Sequence, residues 1–146
     1  MKPIPKRRDQ FHYFLNIQTR WADNDIYGHV NNVTYYSYFD TAAKSLLIQH
    51  AGFDIRQSPI IGLVVDSACS FFKELTFPDT IEVGVAISKI GQSSLRYELA
   101  IFKQHQLEPC AQGHFVHVFV DRETRKSTTI PDAMREALTA YQLNQS

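Results

Sequence analysis

The sequence has few cysteines, no long apolar run and no excess of charge of either sign. Its two cysteines, Cys69 and Cys110, are too few for a disulfide framework, and neither has a second cysteine at CxxC spacing. No apolar stretch approaches the roughly 18 residues that a membrane-spanning helix needs. The 15 basic residues balance 15 acidic ones, whereas a nucleic-acid-binding domain normally has a basic excess. These absences predict a protein that binds neither membranes nor nucleic acids, and its expected location is the cytoplasm because no signal peptide is evident.

What is present suits one globular domain. A chain of 146 residues, 44% of them hydrophobic, is long enough to bury a sizeable core. We therefore expect a single domain over residues 1–146. The basic residues near the start lie in a proline-containing segment, which predicts a flexible, solvated tail over residues 1–10; they are Lys2, Lys6, Arg7 and Arg8.

One long helix is predicted in the first half of the chain. Asn31 or Asn32 is a good N-cap, and Gly52 is typical of the position just past a helix end. Between them, apolar or aromatic residues recur at the spacing of one helical face: Val33, Tyr36, Phe39, Ala43, Leu46, Leu47 and His50. Asp40 and Lys44 are four residues apart on this helix and predict an ordinary surface ion pair.

The rest of the chain alternates with the period of strands. The segments 11–20, 60–75, 81–88, 95–102 and 113–120 predict an antiparallel sheet, and a short helix with Pro131 at its start is expected to follow. The pattern predicts an α+β fold, with the sheet wrapped around the long helix because no other surface could cover the apolar face of that helix. Such a sheet leaves an edge open, which favours a homodimer.

The polar turn before the helix is where chemistry is expected. It lies in the stretch WADNDIYGHVNNVTYYSYF, residues 21–39. The first N–H groups of a helix lack intrahelical partners and can stabilise an oxyanion, and Asp25 lies too far before the helix to be its N-cap. Asp25 could therefore be a general base or a nucleophile. It could equally open an ordinary turn with Gly28, and spacing alone leaves both interpretations open.

The same turn resembles two kinds of metal site in part, and the sequence disfavours both. Asp23, Asp25 and Gly28 fit three positions of a calcium-binding loop, but Tyr27 and Thr34 stand where further ligands are required. Zinc binding by Asp23, Asp25 and His29 lacks a further histidine pair. We predict no metal, and His29 is interpreted as a hydrogen-bonded turn residue. Cys69 is interpreted as a small core side chain.

The turn resembles a known family. Asp23-Asn24-Asp25 followed by GHVNN, with tyrosines on the first helical turns, is similar to the hotdog-fold acyl-CoA thioesterases of the 4-hydroxybenzoyl-CoA thioesterase type, in the branch with a GHVNN loop. The later segments SFFKELTFPDTIEV and VDRETRKSTTIP also resemble that family. The resemblance implies a single hotdog domain with a homodimer or a dimer of dimers, a site between subunits and no cofactor. It implies that Asp25 is catalytic and that the backbone N–H of Asn32 polarises the thioester carbonyl.

The remaining candidates are contacts with the substrate. Four lie in or just after the loop: Gly28, His29, Asn31 and Tyr35. Four basic residues near strand ends could meet pantetheine or nucleotide phosphates, although each is also an ordinary surface charge: Lys73, Lys89, Arg122 and Lys126. The tyrosines could be core or dimer contacts as well as acyl contacts.

The predicted function is hydrolysis of an acyl-CoA or acyl-carrier-protein thioester. The alternative from another class is a non-catalytic hotdog module that binds acyl thioesters or serves as an assembly subunit. A hotdog dehydratase is disfavoured because no paired histidine and acidic residue is evident at that family's spacing. Whether Asp25 acts as base or nucleophile is left open by the sequence.

Overall fold

A computed structural model describes residues 3–144, so Lys2 of the predicted basic tail lies outside the described residues. Five antiparallel strands form one sheet in the order β1-β3-β4-β5-β2. The elements are β1 (Tyr13–Gln18), α1 (Asn32–His50), β2 (Ile60–Phe71), β3 (Thr80–Ile90), β4 (Ser94–Lys103), β5 (Ala111–Asp121) and α2 (Asp132–Leu138). The predicted antiparallel sheet with one long helix and a short C-terminal helix is confirmed. Among the described residues, no helix is long and apolar enough to cross a membrane.

Helix α1 begins and ends where its capping residues indicate. Asn31 is the N-cap, and its side chain accepts a hydrogen bond from the N–H of Val33. After His50 the N–H groups of Ala51 and Phe53 both donate to the carbonyl of Leu47, while Gly52 adopts a φ of 72°. A left-handed glycine at this position closes the helix end, because it lets the chain turn back without a clash.

The buried face of α1 differs in part from the predicted one. Val33 is 74% exposed and His50 is also exposed, whereas Tyr35 and Tyr38 are buried. The remaining buried positions are Phe39, Ala42, Ala43, Leu46 and Leu47, which pack against the inner face of the sheet. The prediction for the first turn was wrong because this turn packs against the end of β2 through Tyr35, whose ring meets that of Phe71, and not through Val33, which faces solvent.

Two other predicted boundaries are corrected by local hydrogen bonds. Strand β2 ends at Phe71 rather than at residue 75, because the N–H groups of Phe72 and Lys73 both donate to the carbonyl of Cys110 and turn the chain away. The spacing of Met134, Leu138 and Tyr141 predicts that all three lie on the C-terminal helix, but Tyr141 lies in a separate 3₁₀ turn after it, Thr139–Tyr141.

Residues 3–10 pack on the outer face of the sheet, where the sequence predicted a solvated tail. Arg8 forms a 2.8 Å ion pair with Glu82, donates to the carbonyl of Gln106 and lies over the rings of Phe14 and Phe102. The N–H of Lys6 donates to the Oε1 of Gln112 at 2.7 Å. The segment is held in place because its basic side chains contact carboxylates and aromatic rings on that face. The number of charges in the sequence does not reveal these contacts.

His117 lies at the centre of the core, fully buried between the sheet and α1, with its Nδ1 2.9 Å from the hydroxyl of Tyr97. Burial lowers the pKa of His117 from 6.5 to about 4. The unfolded chain therefore takes up a proton below about pH 6.5, whereas the native state does so only near pH 4. The contribution of neutral His117 to stability is therefore fully present above about pH 6.5. The free energy of unfolding is expected to fall by roughly 3 kcal/mol as the pH drops from there through about 4.

Urea unfolding of wild type and His117→Phe at pH 7 and pH 4.5 tests this prediction. The variant should lose markedly less stability between the two pH values than wild type does. Equal losses in the two proteins would mean that His117 is not held neutral by the core.

Candidate active site

Asp25 opens the turn between β1 and α1. The N–H of Gly28 donates to the Asp25 carbonyl at 3.1 Å, the N–H of Tyr27 donates to the Asp25 Oδ1 at 2.9 Å, and Gly28 has a φ of 85°. The turn interpretation therefore holds for the backbone and for one carboxylate oxygen. Within residues 3–144 the second oxygen, Oδ2, has no hydrogen-bonding partner, and it remains available for chemistry.

The loop that follows is anchored to the segment after β2. The N–H of Val30 donates to the carbonyl of Leu75 at 2.8 Å, and the hydroxyl of Thr76 donates to the carbonyl of Gly28 at 2.7 Å. His29 places its Nε2 2.9 Å from Glu74. These contacts hold Asp25 in place relative to the helix, and they account for His29 as a turn residue that also lines the site.

The first residue of α1 provides an unpaired backbone donor. Asn31 uses its side chain to cap the N–H of Val33 at 3.0 Å, and its carbonyl accepts from Thr34. Among the described residues, the N–H of Asn32, the first helical residue, has no acceptor. The aligned peptide dipoles of this 19-residue helix place positive potential at the same point. A carbonyl oxygen bound there would be polarised.

Asp25 and Asn32 line one cleft of about 400 Å³, which we call the helix cleft. Its wall includes Tyr35, a 3% exposed residue whose ring meets that of Phe71 edge-on at 4.9 Å. Burial raises the pKa of Tyr35 to about 12, so its hydroxyl stays neutral. His29 and Lys73 also line this cleft. Five of the ten residues predicted to act on the substrate therefore lie together.

The other candidates divide into two groups. Gly28 and Asn31 shape the loop and cap the helix, as described above. Lys89, Arg122 and Lys126 lie at or beyond the far ends of β3 and β5, which are 11-residue strands about 30 Å or more in length. Within one chain these three do not join the helix cleft. Arg122 instead donates to the carbonyls of Ser58 and Ile55.

The metal interpretations find no support in the side-chain arrangement. Within the described part of the chain, no three His, Cys, Asp or Glu side chains are grouped so as to hold a metal ion. The carboxylate of Asp23 is occupied by other partners, and His29 pairs with Glu74. Burial raises the pKa of the Cys69 thiol to about 12, which keeps it protonated and a poor nucleophile.

Comparison with known proteins settles the family. Residues 19–138 match the family model of the thioesterase-like superfamily. This range contains the turn, both helices and strands β2 to β5. The chain belongs to the thioesterase-like superfamily. An uncharacterised Bacillus subtilis protein, YsmA, is 25% identical over 93% of this chain and 91% of its own length.

Solved structures agree with this membership in the superfamily. The PA5185 protein from Pseudomonas aeruginosa is 49% identical over 98% of this chain and all of its own, with a TM-score of 0.95. A 1,4-dihydroxy-2-naphthoyl-CoA thioesterase from Synechocystis, 18% identical, covers 87% of this chain and 95% of its own with a TM-score of 0.78, which shows a shared fold. The predicted hotdog fold is confirmed, with a sheet that does not close into a barrel.

Asp23 is a residue of this thioesterase-like chain whose role the sequence did not reveal. It is 3% exposed, and its carboxylate accepts from the Arg20 N–H at 2.9 Å, the Arg20 guanidinium at 2.9 Å and the Tyr38 hydroxyl at 2.7 Å. Its carbonyl accepts from the N–H of Asn31. Asp23 thus joins the strand end, the N-cap and the second turn of α1. The spacing Arg20-x-x-Asp23 was the only sequence signal for this pairing.

Asp23 is expected to stabilise the fold in a pH-dependent way. Burial alone would raise the pKa of Asp23, but the hydrogen bonds from Arg20 and Tyr38 outweigh it and hold the pKa below the ordinary 3.8. Its contribution is therefore present above about pH 4 and is lost as the pH falls through the lowered native value. Asp23→Ala should cost about 1–3 kcal/mol at pH 7, since the buried Tyr38 hydroxyl loses its acceptor.

Urea unfolding at pH 7 and pH 3 measures both effects, with Asp54→Asn as control. Asp54 is an exposed turn aspartate that accepts from the N–H groups of Arg56 and Gln57, so its substitution should change little. If Asp23→Ala were as stable as wild type at pH 7, the proposed anchoring role would be wrong.

Proposed function

We propose that this chain hydrolyses acyl thioesters of coenzyme A or of an acyl carrier protein, and that it is of the 4-hydroxybenzoyl-CoA thioesterase type. The observation that carries the proposal is the meeting of two groups in the helix cleft. One is a carboxylate with an unpaired oxygen, Asp25, and the other is an unpaired helix N–H, that of Asn32. Membership in the thioesterase-like superfamily supports the same reaction class.

The proposed chemistry assigns one role to each group. The thioester carbonyl oxygen accepts the Asn32 N–H, which stabilises the charge that develops on this oxygen, typically by about 3–4 kcal/mol. Asp25 either takes a proton from an attacking water or attacks the carbonyl carbon itself to form an anhydride that water then opens. In the first route water adds to the carbonyl carbon, the C–S bond breaks and Asp25 passes the proton it took from water to the departing thiolate. In the second route the C–S bond breaks as the anhydride forms, the thiolate takes a proton from solvent, and water then opens the anhydride to release the carboxylic acid and restore Asp25. No cofactor enters either route.

The other residues of the helix cleft are proposed to hold the substrate. Tyr35 forms an apolar wall beside the reacting carbon. Lys73, whose side chain is 56% exposed and lies 3.6 Å from Glu108, offers a positive charge at the rim. His29, Gly28 and Asn31 keep the loop and the helix start in register. A phosphate-bearing arm of the substrate would therefore leave past Lys73.

A homodimer would complete the site. Strand β2 lies at the edge of the sheet, and its central residues Leu63, Val64 and Val65 are 41%, 46% and 60% exposed. Two-fold pairing of β2 with a second copy is antiparallel, so it would bring the Ile60 end of one copy to the Phe71 end of the other. Arg122 and Lys126 of the second copy would then lie near Lys73. Sedimentation equilibrium should show a dimer or a dimer of dimers, and a fully active monomer would contradict this arrangement.

Thiol release from a panel of acyl-CoAs tests the proposed reaction. We expect wild type to hydrolyse at least one of these thioesters. Oxygen esters of similar size should be hydrolysed much more slowly. A protein that binds the same acyl-CoAs, as measured by calorimetry, but releases no thiol would instead be the non-catalytic binding module. If wild type is active, comparing the hydrolysis rates of the preferred acyl group on coenzyme A and on an acyl carrier protein identifies which carrier it uses.

A further inference from the structure

A second cleft meets the helix cleft at Asp25. It has a volume of about 720 Å³, and its apolar walls are Trp21, Ile26 and Phe77; we call it the tryptophan cleft. Trp21 and Ile26 are 75% and 93% exposed, and the rings of Trp21 and Phe77 meet edge-on at 6.1 Å. Large apolar side chains gathered around a concave surface are typical of a binding site.

The polar groups of the tryptophan cleft are already engaged with one another. Asn24 accepts the N–H of Phe77 at 3.1 Å through its Oδ1, and the Thr76 hydroxyl donates to the carbonyl of Gly28. Among the described residues no Lys, Arg or His lines this cleft, and Asp25 is the one charged side chain in its wall. An occupant would therefore gain apolar contact, whereas a phosphate or carboxylate there would meet only negative charge.

The shared residue decides which ligand fits. A thioester whose carbonyl carbon lies at Asp25 has two arms, the acyl group and the thiol carrier. The carrier arm of coenzyme A is phosphorylated. The helix cleft is lined by Lys73 and His29 as well as by Asp25 and Glu74, so it offers a phosphate cationic partners that the tryptophan cleft does not. Gly28 lies in the wall of the tryptophan cleft, and the space around its Cβ position is open, so no side chain at this point of the turn obstructs the acyl arm. The remaining arm, the acyl group, matches the uncharged apolar walls on the other side.

We propose that the tryptophan cleft is the acyl subsite and that it selects uncharged, apolar acyl groups over those that end in a carboxylate. The assignment rests on the proposed thioester hydrolysis, because it places the acyl arm relative to Asp25. It adds Trp21, Ile26 and Phe77 as specificity-determining residues.

Trp21 is the one tryptophan of the sequence, so the intrinsic fluorescence of the protein reports on this cleft directly. The probes are S-octyl-CoA, a thioether that cannot be hydrolysed, and free CoA. We expect the emission of wild type to shift to shorter wavelength with S-octyl-CoA and to stay unchanged with saturating CoA. The assignment is overturned if S-octyl-CoA binds by calorimetry without a shift, if it does not bind, or if CoA alone gives the same shift. Emission typical of a buried indole in the ligand-free protein would also overturn it, since a second copy or another segment would then cover the cleft.

Kinetics separate this assignment from the proposed function. Phe77→Ala and Trp21→Ala should lower kcat/KM for octanoyl-CoA by about tenfold or more while changing that for acetyl-CoA little, because a short acyl group does not reach the apolar walls. Leu107→Ala is the matched control, because Leu107 is an equally exposed apolar residue in the β4–β5 turn.

Octanoyl-CoA should also be preferred to its eight-carbon analogue with a terminal carboxylate. If thioesters are hydrolysed but the octanoyl-to-acetyl ratio is the same in all variants, the subsite is wrong and the reaction stands; if none is hydrolysed by wild type, the proposed function itself fails.

Discussion

Asp25→Asn is expected to lower kcat for acyl-CoA hydrolysis by about 10²- to 10⁴-fold, the range that removal of a positioned acid–base group usually costs. Asparagine keeps an oxygen that can accept the Tyr27 N–H, so the turn should persist. What is lost is the second carboxylate oxygen in the helix cleft, which either activates water or attacks the carbonyl carbon. Thiol release under saturating substrate measures the effect, and binding of S-octyl-CoA should be retained.

The matched control is Asp54→Asn. Asp54 accepts two backbone N–H groups in its own turn, as Asp25 accepts one, but Asp54 does not line the helix cleft. Its substitution should leave kcat within about twofold of wild type, as expected for a surface change away from the chemistry. An Asp25→Asn enzyme with wild-type kcat would remove Asp25 from the mechanism.

Asn32→Pro is expected to lower kcat by about 10²- to 10³-fold without unfolding the helix. Proline has no backbone N–H, so the substitution deletes the proposed oxyanion donor itself. The position tolerates it, because proline is favoured at the first residue of a helix and the preceding residue, Asn31, already has the extended φ of −61° and ψ of 138° that proline requires before it.

Asn32→Ala separates the backbone donor from the side chain. Alanine keeps the N–H and removes only the exposed amide, so its kcat should stay close to that of wild type. Circular dichroism of both variants should match wild type. The oxyanion assignment is wrong if proline and alanine have equal activity, or if alanine is as damaging as proline.

The sequence predicts this fold well where periodicity and capping act locally. The polar residues before α1 and Gly52 after it mark the helix ends, and alternation marks β3 and β4 as strands. Alternation also suggests one solvated face, but part of the outer face is covered, and Ala86, Ala100 and Phe102 are buried there. Contacts between distant segments are not visible in such patterns. Apart from Phe14, the outer-face partners of Arg8 lie 74 to 98 residues further along the chain, which is why residues 3–10 were expected to be solvated.

The site divides in the same way. Asp25 and Asn32 were predicted together because a turn aspartate and a helix start are adjacent in the chain and resemble a known motif, and the structure places both in the helix cleft. Lys89, Arg122 and Lys126 were grouped with them by charge alone, and the fold separates them within one chain. The anchoring role of Asp23 was missed because it depends on the burial of its carboxylate against the Tyr38 hydroxyl. The tryptophan cleft was missed because Trp21 and Phe77 come together only when the loop is anchored on the segment after β2.

A crystal structure of the Asp25→Asn protein with an acyl-CoA that wild type hydrolyses would show whether Asp25 and Asn32 act on the same carbonyl group. We expect the thioester oxygen to lie within hydrogen-bonding distance of the Asn32 nitrogen, with its carbonyl carbon beside the residue 25 side chain. A substrate whose carbonyl carbon is bound away from both groups would contradict this expectation.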